Sequence, residues 1–309
     1  NTYLSTCTIV VCIQHSLLFQ KVPHLHGTTE SYTCLRFLLL GFSDDPELQL
    51  LLFGLFLSLY LVTVLGNLLI ILAVSSDPHL HSPMYFFLSN LSLLDICFTS
   101  TTIPKMLVNH LCGLTTISFS ACLAQMYFFI TFGAADSMLL SAMAYDRYLA
   151  ICSPLHYMTI MSVLRCTLLV VIPWISANLI SMVHTILMSH LSFCTNRIPH
   201  FFCDINALIK LSCSDTQVNE MLVLVLGGSV ILIPFVCIMA SYSSITGLVE
   251  GALSPGEMKA FSMYGSHLCV VCLFYGTITG VYFNPTSTHT TQRDMAATVM
   301  YTMVTHMLN

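Results

Sequence analysis

Three groups of residues in this sequence could do chemistry: acids and an arginine set within long apolar runs, cysteines gathered in one polar stretch, and histidines at short spacings. Asp95 and Asp136 each interrupt an apolar segment. An ionisable group in such a place is costly enough to be a functional candidate by default. Asp95 follows the start of its segment at Met84, and Asp136 precedes Arg147 at the end of an antiparallel one. At the helical rise both therefore lie about 16 Å from the same membrane surface, and no Lys or Arg shares that depth. The two acids are therefore either protonated and hydrogen-bonded to Ser and Asn neighbours, or they hold a small cation such as Na+ between them. A chain with this pair could even pass ions, as a channel or transporter. Asp146 and Arg147 stand side by side at the end of the segment that carries Asp136.

The cysteines point to disulfide chemistry. Cys194, Cys203 and Cys213 lie in one long polar stretch, and Cys122 starts the third apolar segment on the same side. Disulfides persist in oxidising compartments, so this side is expected to face the lumen or the outside. Four cysteines allow three pairings, and spacing does not choose among them. His200 and Cys203 have the spacing of a Zn2+ or Cu2+ pair, but a disulfide-bonded Cys203 could not ligate as thiolate. The pairs His24/His26 and His79/His81 lack two further ligands.

The elements that must position these groups are membrane helices. Of 309 residues, 56% are hydrophobic and 7% charged. A soluble domain carries about 25% charged residues and could not hide so much apolar surface. Crossing the bilayer takes about 20 mostly apolar residues. Six stretches reach that length: 50–74, 84–107, 121–151, 166–187, 219–246 and 260–283. A seventh, 295–309, spans only about 22 Å and falls short of the hydrocarbon core. The net charge of −5 shows no basic patch for nucleic acid. In the third segment Cys122, Met126, Phe129, Gly133, Asp136, Leu140, Met143 and Arg147 recur at steps of four and three, a single helical stripe. It links an outer thiol to an inner arginine about 37 Å away.

Residues 1–47 read as a disordered tail, since the apolar run at 3–19 is broken by Gln14 and His15. Residues 48–309 read as the helical domain. The stretch 188–215 is the one irregular region long enough to fold over the bundle. The segments do not repeat one another, which counts against transporters built from duplicated halves. The Lys/Arg distribution opposes the disulfide argument. With the first helix entering from outside, the inner loops hold only Arg165 and Lys259, while Lys21, Arg36, Arg197, Lys210 and Arg293 lie outside.

A set of strings resembles the odorant receptors, a branch of the rhodopsin-like G-protein-coupled receptors. They are Gly66-Asn67; Pro83-Met84-Tyr85-Phe86-Phe87-Leu88-Ser89-Asn90-Leu91-Ser92 leading to Asp95; and Met143-Ala144-Tyr145-Asp146-Arg147-Tyr148-Leu149-Ala150-Ile151-Cys152. Ser241-Tyr242, Lys259-Ala260-Phe261-Ser262 with Ser266-His267-Leu268, and Phe274-Tyr275-Gly276 complete the series. The resemblance runs from about Phe37 to Asn309. It implies an all-α membrane protein, a seven-transmembrane-helix bundle with a truncated seventh helix incomplete from 295, and no enzymatic activity.

The resemblance also implies roles. Arg147 would be held by Asp146 at rest and released toward a heterotrimeric G protein of the olfactory Gs type, with Tyr148, Tyr242, Lys259 and His267 in the same machinery. Cys122 would bond Cys203, and Cys194 would bond Cys213. A small, volatile, mostly apolar odorant would bind in the outer half of the bundle, against Met126, Phe129, Ile130, Gly133, Ala134, Leu226, Tyr275, Ile278, Tyr282 and Tyr301. The expected location is the plasma membrane. Some positions depart from the pattern: Met263-Tyr264 in place of Thr-Cys, His306 in place of Pro, and Glu257 in a loop that is commonly basic. With a seventh segment stopping at Asn309, where the family continues into an Asn-Pro motif, a second expectation is a non-signalling relic held in the endoplasmic reticulum.

Overall fold

The computed structural model describes residues 36–41, 46–80, 82–112, 115–249, 271–273, 275–280 and 298–299. Long helices dominate: α1 (Pro46–Ser76), α2 (Pro83–Cys112), α3 (Phe119–Cys152) and α5 (Val163–Ser189). A short α4 (Tyr157–Ile160) sits between the last two. The next long helix is continuous but changes its winding: α7 (Gln217–Leu222), a π-helical turn over Val223–Gly227, then α8 (Gly228–Val249). Five of these runs are long and apolar enough to cross a membrane, and a further apolar helix, α9, covers Val271–Gly280. The remainder of the sixth segment and nearly all of the seventh lie outside the described residues.

Burial shows which surface faces what. Many of the exposed side chains along α1, α5 and α8 are Leu, Ile, Val and Met, such as Leu65, Leu69, Ile172, Ile175, Ile233 and Val236. An apolar face of that kind needs lipid rather than water. Hydroxyl groups on these helices turn back on their own backbone, as Thr63 does to the Leu59 carbonyl at 2.9 Å and Ser75 to the Ile71 carbonyl at 2.7 Å. That satisfies them where no water is available.

α3 is the central helix, packed against α2, α5 and α8. The expected stripe is present: Cys122, Met126, Phe129, Asp136, Leu140 and Met143 are all buried. Because α3 has neighbours on most sides, Thr131, Ala135 and Leu139 off the stripe are buried as well. The stripe therefore marks a direction along the helix rather than its only covered face.

The outer end is closed by a small sheet that the sequence reading placed partly in a disordered tail. β1 (Arg36–Leu39) lies between β2 (Thr116–Ser118) and β3 (Arg197–Ile198). It pairs antiparallel with β2, Phe37 opposite Ile117, and parallel with β3, Leu39 opposite Ile198. Four residues suffice because their alternation is the strand period: Phe37 and Leu39 are buried while Arg36 is exposed. Phe37 meets Phe193 edge-on at 5.3 Å and Phe119 at 6.1 Å, in an outer cluster with Met126, Met188 and Leu208. Ser118 ends β2 and caps α3, its hydroxyl accepting from the Ala121 amide at 3.3 Å.

Candidate functional site: a cavity and an arginine contact on one helix

The stretch after α5 folds inward over the bundle. The structure joins Cys122 to Cys203 and Cys194 to Cys213, each with Cα atoms 5.5 Å apart. The Cys203 amide donates to the Gln125 side-chain oxygen at 3.1 Å, and the Gln125 amide group donates to the Thr101 carbonyl at 3.0 Å. Asp204 then caps α6 (Ile205–Lys210), accepting from the amides of Asn206 and Ala207 at 2.9 and 3.2 Å. With Cys203 in a disulfide, the His200/Cys203 metal reading has no thiolate. Among the described residues no group of three or more His, Cys, Asp or Glu could hold a metal ion.

Beneath this loop lies a cavity of about 130 Å³ between α3, α5 and the α7–α8 helix, with Ile205 as part of its roof. Five of the expected ligand residues line it: Phe129, Ile130, Gly133 and Ala134 from α3, and Ile278 from α9. Phe129 stacks between Phe98 of α2 and Phe202 of the loop, with ring centroids 4.8 and 4.6 Å away. Tyr275 stands behind the wall, its hydroxyl 2.9 Å from that of Ser137, which does line the cavity. Met126 belongs instead to the outer cluster under the sheet. Leu226 is passed over in favour of Val223, Gly227 and Val230. Leu226 is expected from the resemblance alone, and it lies within the π turn, whose wider step changes the register of side chains along this stretch. Tyr282 and Tyr301 lie outside the described residues.

The wall also includes residues that sequence reading missed, notably Ile180 and His184 of α5. His184 carried a usable signal, an ionisable side chain within an apolar segment. Its helix is fastened to α3 by two bonds: the Tyr127 hydroxyl donates to Asn178 at 2.7 Å, and Ser181 donates to the Tyr127 carbonyl at 2.6 Å.

At the other end of α3, Asp146 and Arg147 each have a hydrogen-bond partner on a neighbouring element. Tyr157 of α4 donates its hydroxyl to Asp146 at 2.8 Å, and the Arg147 guanidinium donates to the Tyr242 hydroxyl of α8 at 3.1 Å. To the expected Asp146–Arg147 pair the structure adds Tyr157 and Tyr242 as hydrogen-bond partners from neighbouring elements. Burial, and then the hydrogen bond and charge of Asp146, push the Tyr157 phenol above its ordinary pKa. It therefore remains a proton donor at neutral pH. Tyr148 is half-buried and packs on the main core. Lys259 and His267 lie outside the described residues. Asp95 on α2 and Asp136 on α3 are almost fully enclosed, at 1% and 0% exposure, on helices packed against each other.

A family model described as olfactory receptor matches residues 56–309. The rat protein named olfactory receptor 1f45 is 58% identical over 285 residues, covering 92% of this chain and 91% of the relative. The human protein named olfactory receptor 1F1 is 56% identical and covers 92% of both. Human olfactory receptor 1N1 is 54% identical over 89% of each chain. A match of this extent, on a multi-pass membrane fold, places the molecule among signalling receptors rather than enzymes, and the chain belongs to the olfactory receptor family.

Proposed function

We propose that the chain is an odorant receptor of the plasma membrane that binds a small, volatile, mostly apolar molecule in the cavity beneath Ile205. Binding there is relayed to a heterotrimeric G protein of the stimulatory, Gs type. The observation that carries this reading is the shared helix. α3 lines the cavity with Phe129, Gly133 and Ser137, and the same helix presents Arg147 to Tyr242 at its inner end. A ligand that favours one packing of α3 against α8 therefore biases the Arg147–Tyr242 contact, a two-state element of the kind that signalling requires. Tyr148, Lys259 and His267 complete the proposed coupling face. The cavity suits a weakly polar ligand because its wall is apolar with few polar groups.

In this reading the enclosed acids Asp95 and Asp136 form a Na+ site between the cavity and the inner end, supported by their burial on packed helices. Replacing NaCl with choline chloride is expected to lower the melting temperature of the purified protein, and neither Asp95→Asn nor Asp136→Asn should retain that sensitivity. Equal sensitivity in both variants removes the ion from the scheme. For the receptor itself, the full chain is expressed with a stimulatory G protein and exposed to an odorant panel. Odorant-evoked cyclic AMP at verified surface display is the expected outcome. Odorant-independent ion current without cyclic AMP would point to the channel reading instead.

A further inference from the structure

Two polar side chains line the described cavity wall, Ser137 and His184. Ser137 is already engaged, its hydroxyl 2.9 Å from both the Val230 carbonyl and the Tyr275 hydroxyl. His184 is not. It is only 5% exposed, it borders the cavity, and its ring makes no hydrogen bond with any described residue. Its ring nitrogens are not among the fully enclosed atoms that lack a partner, so a ligand in the cavity can reach them and supply the missing hydrogen bond. Its backbone is well held, because Ser181, one turn before it, is bonded to α3 and Asn178 receives the Tyr127 hydroxyl.

We propose that His184 is the specificity-determining contact of this cavity, and that it selects neutral odorants bearing one hydroxyl or carbonyl group on an otherwise apolar body. The inference rests on reading the cavity as the odorant site. A neutral imidazole offers one N–H donor and one acceptor nitrogen. A hydroxyl can satisfy either nitrogen, a carbonyl only the N–H, and a hydrocarbon neither. The expected order is therefore alcohol, then aldehyde or ketone, then hydrocarbon. Charged ligands are disfavoured, because no Asp, Glu, Lys or Arg is among the described lining residues to pair them.

The test uses the full chain at the cell surface, with octanol, octanal and octane as one matched set and menthol, menthone and menthane as another; octanoic acid and octylamine serve as charged probes. Wild type is expected to respond to the alcohol at a concentration about tenfold below that needed for the hydrocarbon, the worth of one hydrogen bond to a buried group. His184→Leu should shrink that ratio to about threefold or less, and His184→Gln, which keeps a donor and an acceptor, should preserve most of it. A purely structural role would move both members of a set together and leave the ratio unchanged. An unchanged ratio in His184→Leu at normal surface display overturns the assignment, as does parallel loss of all responses in both variants. Responses to the charged probes alone would overturn the ligand class while sparing the receptor reading. Silence of a displayed wild type toward every probe and a broad odorant panel counts against the receptor reading itself.

Discussion

Gly133 occupies a place where any side chain would meet the aromatic wall. A Cβ there would come 3.1 Å from the Phe98 ring, a contact that the ring must yield by a few tenths of an ångström. Phe98 is backed by Phe129 at 4.8 Å, so it has little room to yield away from the cavity. Gly133→Ala should therefore narrow the site and raise the effective concentration of bulky odorants by about tenfold, the usual effect of a methyl-sized change in a pocket, with smaller odorants less affected. Dose–response curves for menthol and octanol at matched surface display provide the check. Equal shifts for both would place the effect elsewhere. At the inner end, Tyr157 is the residue that occupies Asp146. Tyr157→Phe leaves that carboxylate to seek another donor, with Arg147 next in the chain. We expect a lower maximal cyclic AMP response, with the effective concentration of odorant nearly unchanged. An unchanged maximum would separate the Tyr157–Asp146 bond from signalling.

At the scale of elements, the two disulfides close loops of very different size. Cys122 and Cys203 are 81 residues apart, Cys194 and Cys213 only 19. In the chain-entropy account these constrain the unfolded state by about 4.5 and about 3 kcal/mol respectively. Paired Cys122→Ser/Cys203→Ser substitutions should therefore reduce thermal stability and surface display more than Cys194→Ser/Cys213→Ser. The first pair also positions Ile205 in the cavity roof and should shift odorant response. A reversed order in the melting temperatures would show that local packing under the sheet outweighs loop closure. This outer region is also where sequence reading reached least far. The membrane helices were legible because apolar length alone specifies them, and the α3 stripe was legible because Cys122, Phe129, Asp136 and Arg147 share a helical period. β1 was not, since four residues carry too short a pattern, and their partners Ile117 and Ile198 lie far along the chain. Nine of the fourteen residues of the cavity wall escaped for a related reason. Ile180, His184 and Val223 become neighbours of Gly133 only through packing and a π turn that no periodicity announces.

For the whole molecule, two signals disagree about orientation, and their physical origins decide between them. The sheet and both disulfides lie at the end of the bundle where α3 begins, and Arg147 lies at the opposite end of the same helix. Disulfides close only in an oxidising compartment, so the sheet end must face the lumen and then the outside. The Lys/Arg bias opposes this, but it is a statistical preference of short loops, whereas a thiol pair in the reducing cytosol does not stay oxidised. An epitope placed ahead of Arg36 should therefore be stained on intact cells, and one placed in residues 250–258 only after permeabilisation. The reverse pattern would refute the orientation and with it the placement of Arg147 toward a G protein. Mixed staining of both epitopes would mean that the weak charge signal leaves two topologies in one population. Because the inner loops hold only Arg165 and Lys259, adding positive charge there should help: Glu257→Lys is expected to raise the correctly oriented, surface-displayed fraction. An unchanged fraction would show that the helices and the disulfide-bonded end fix the orientation without help from charge.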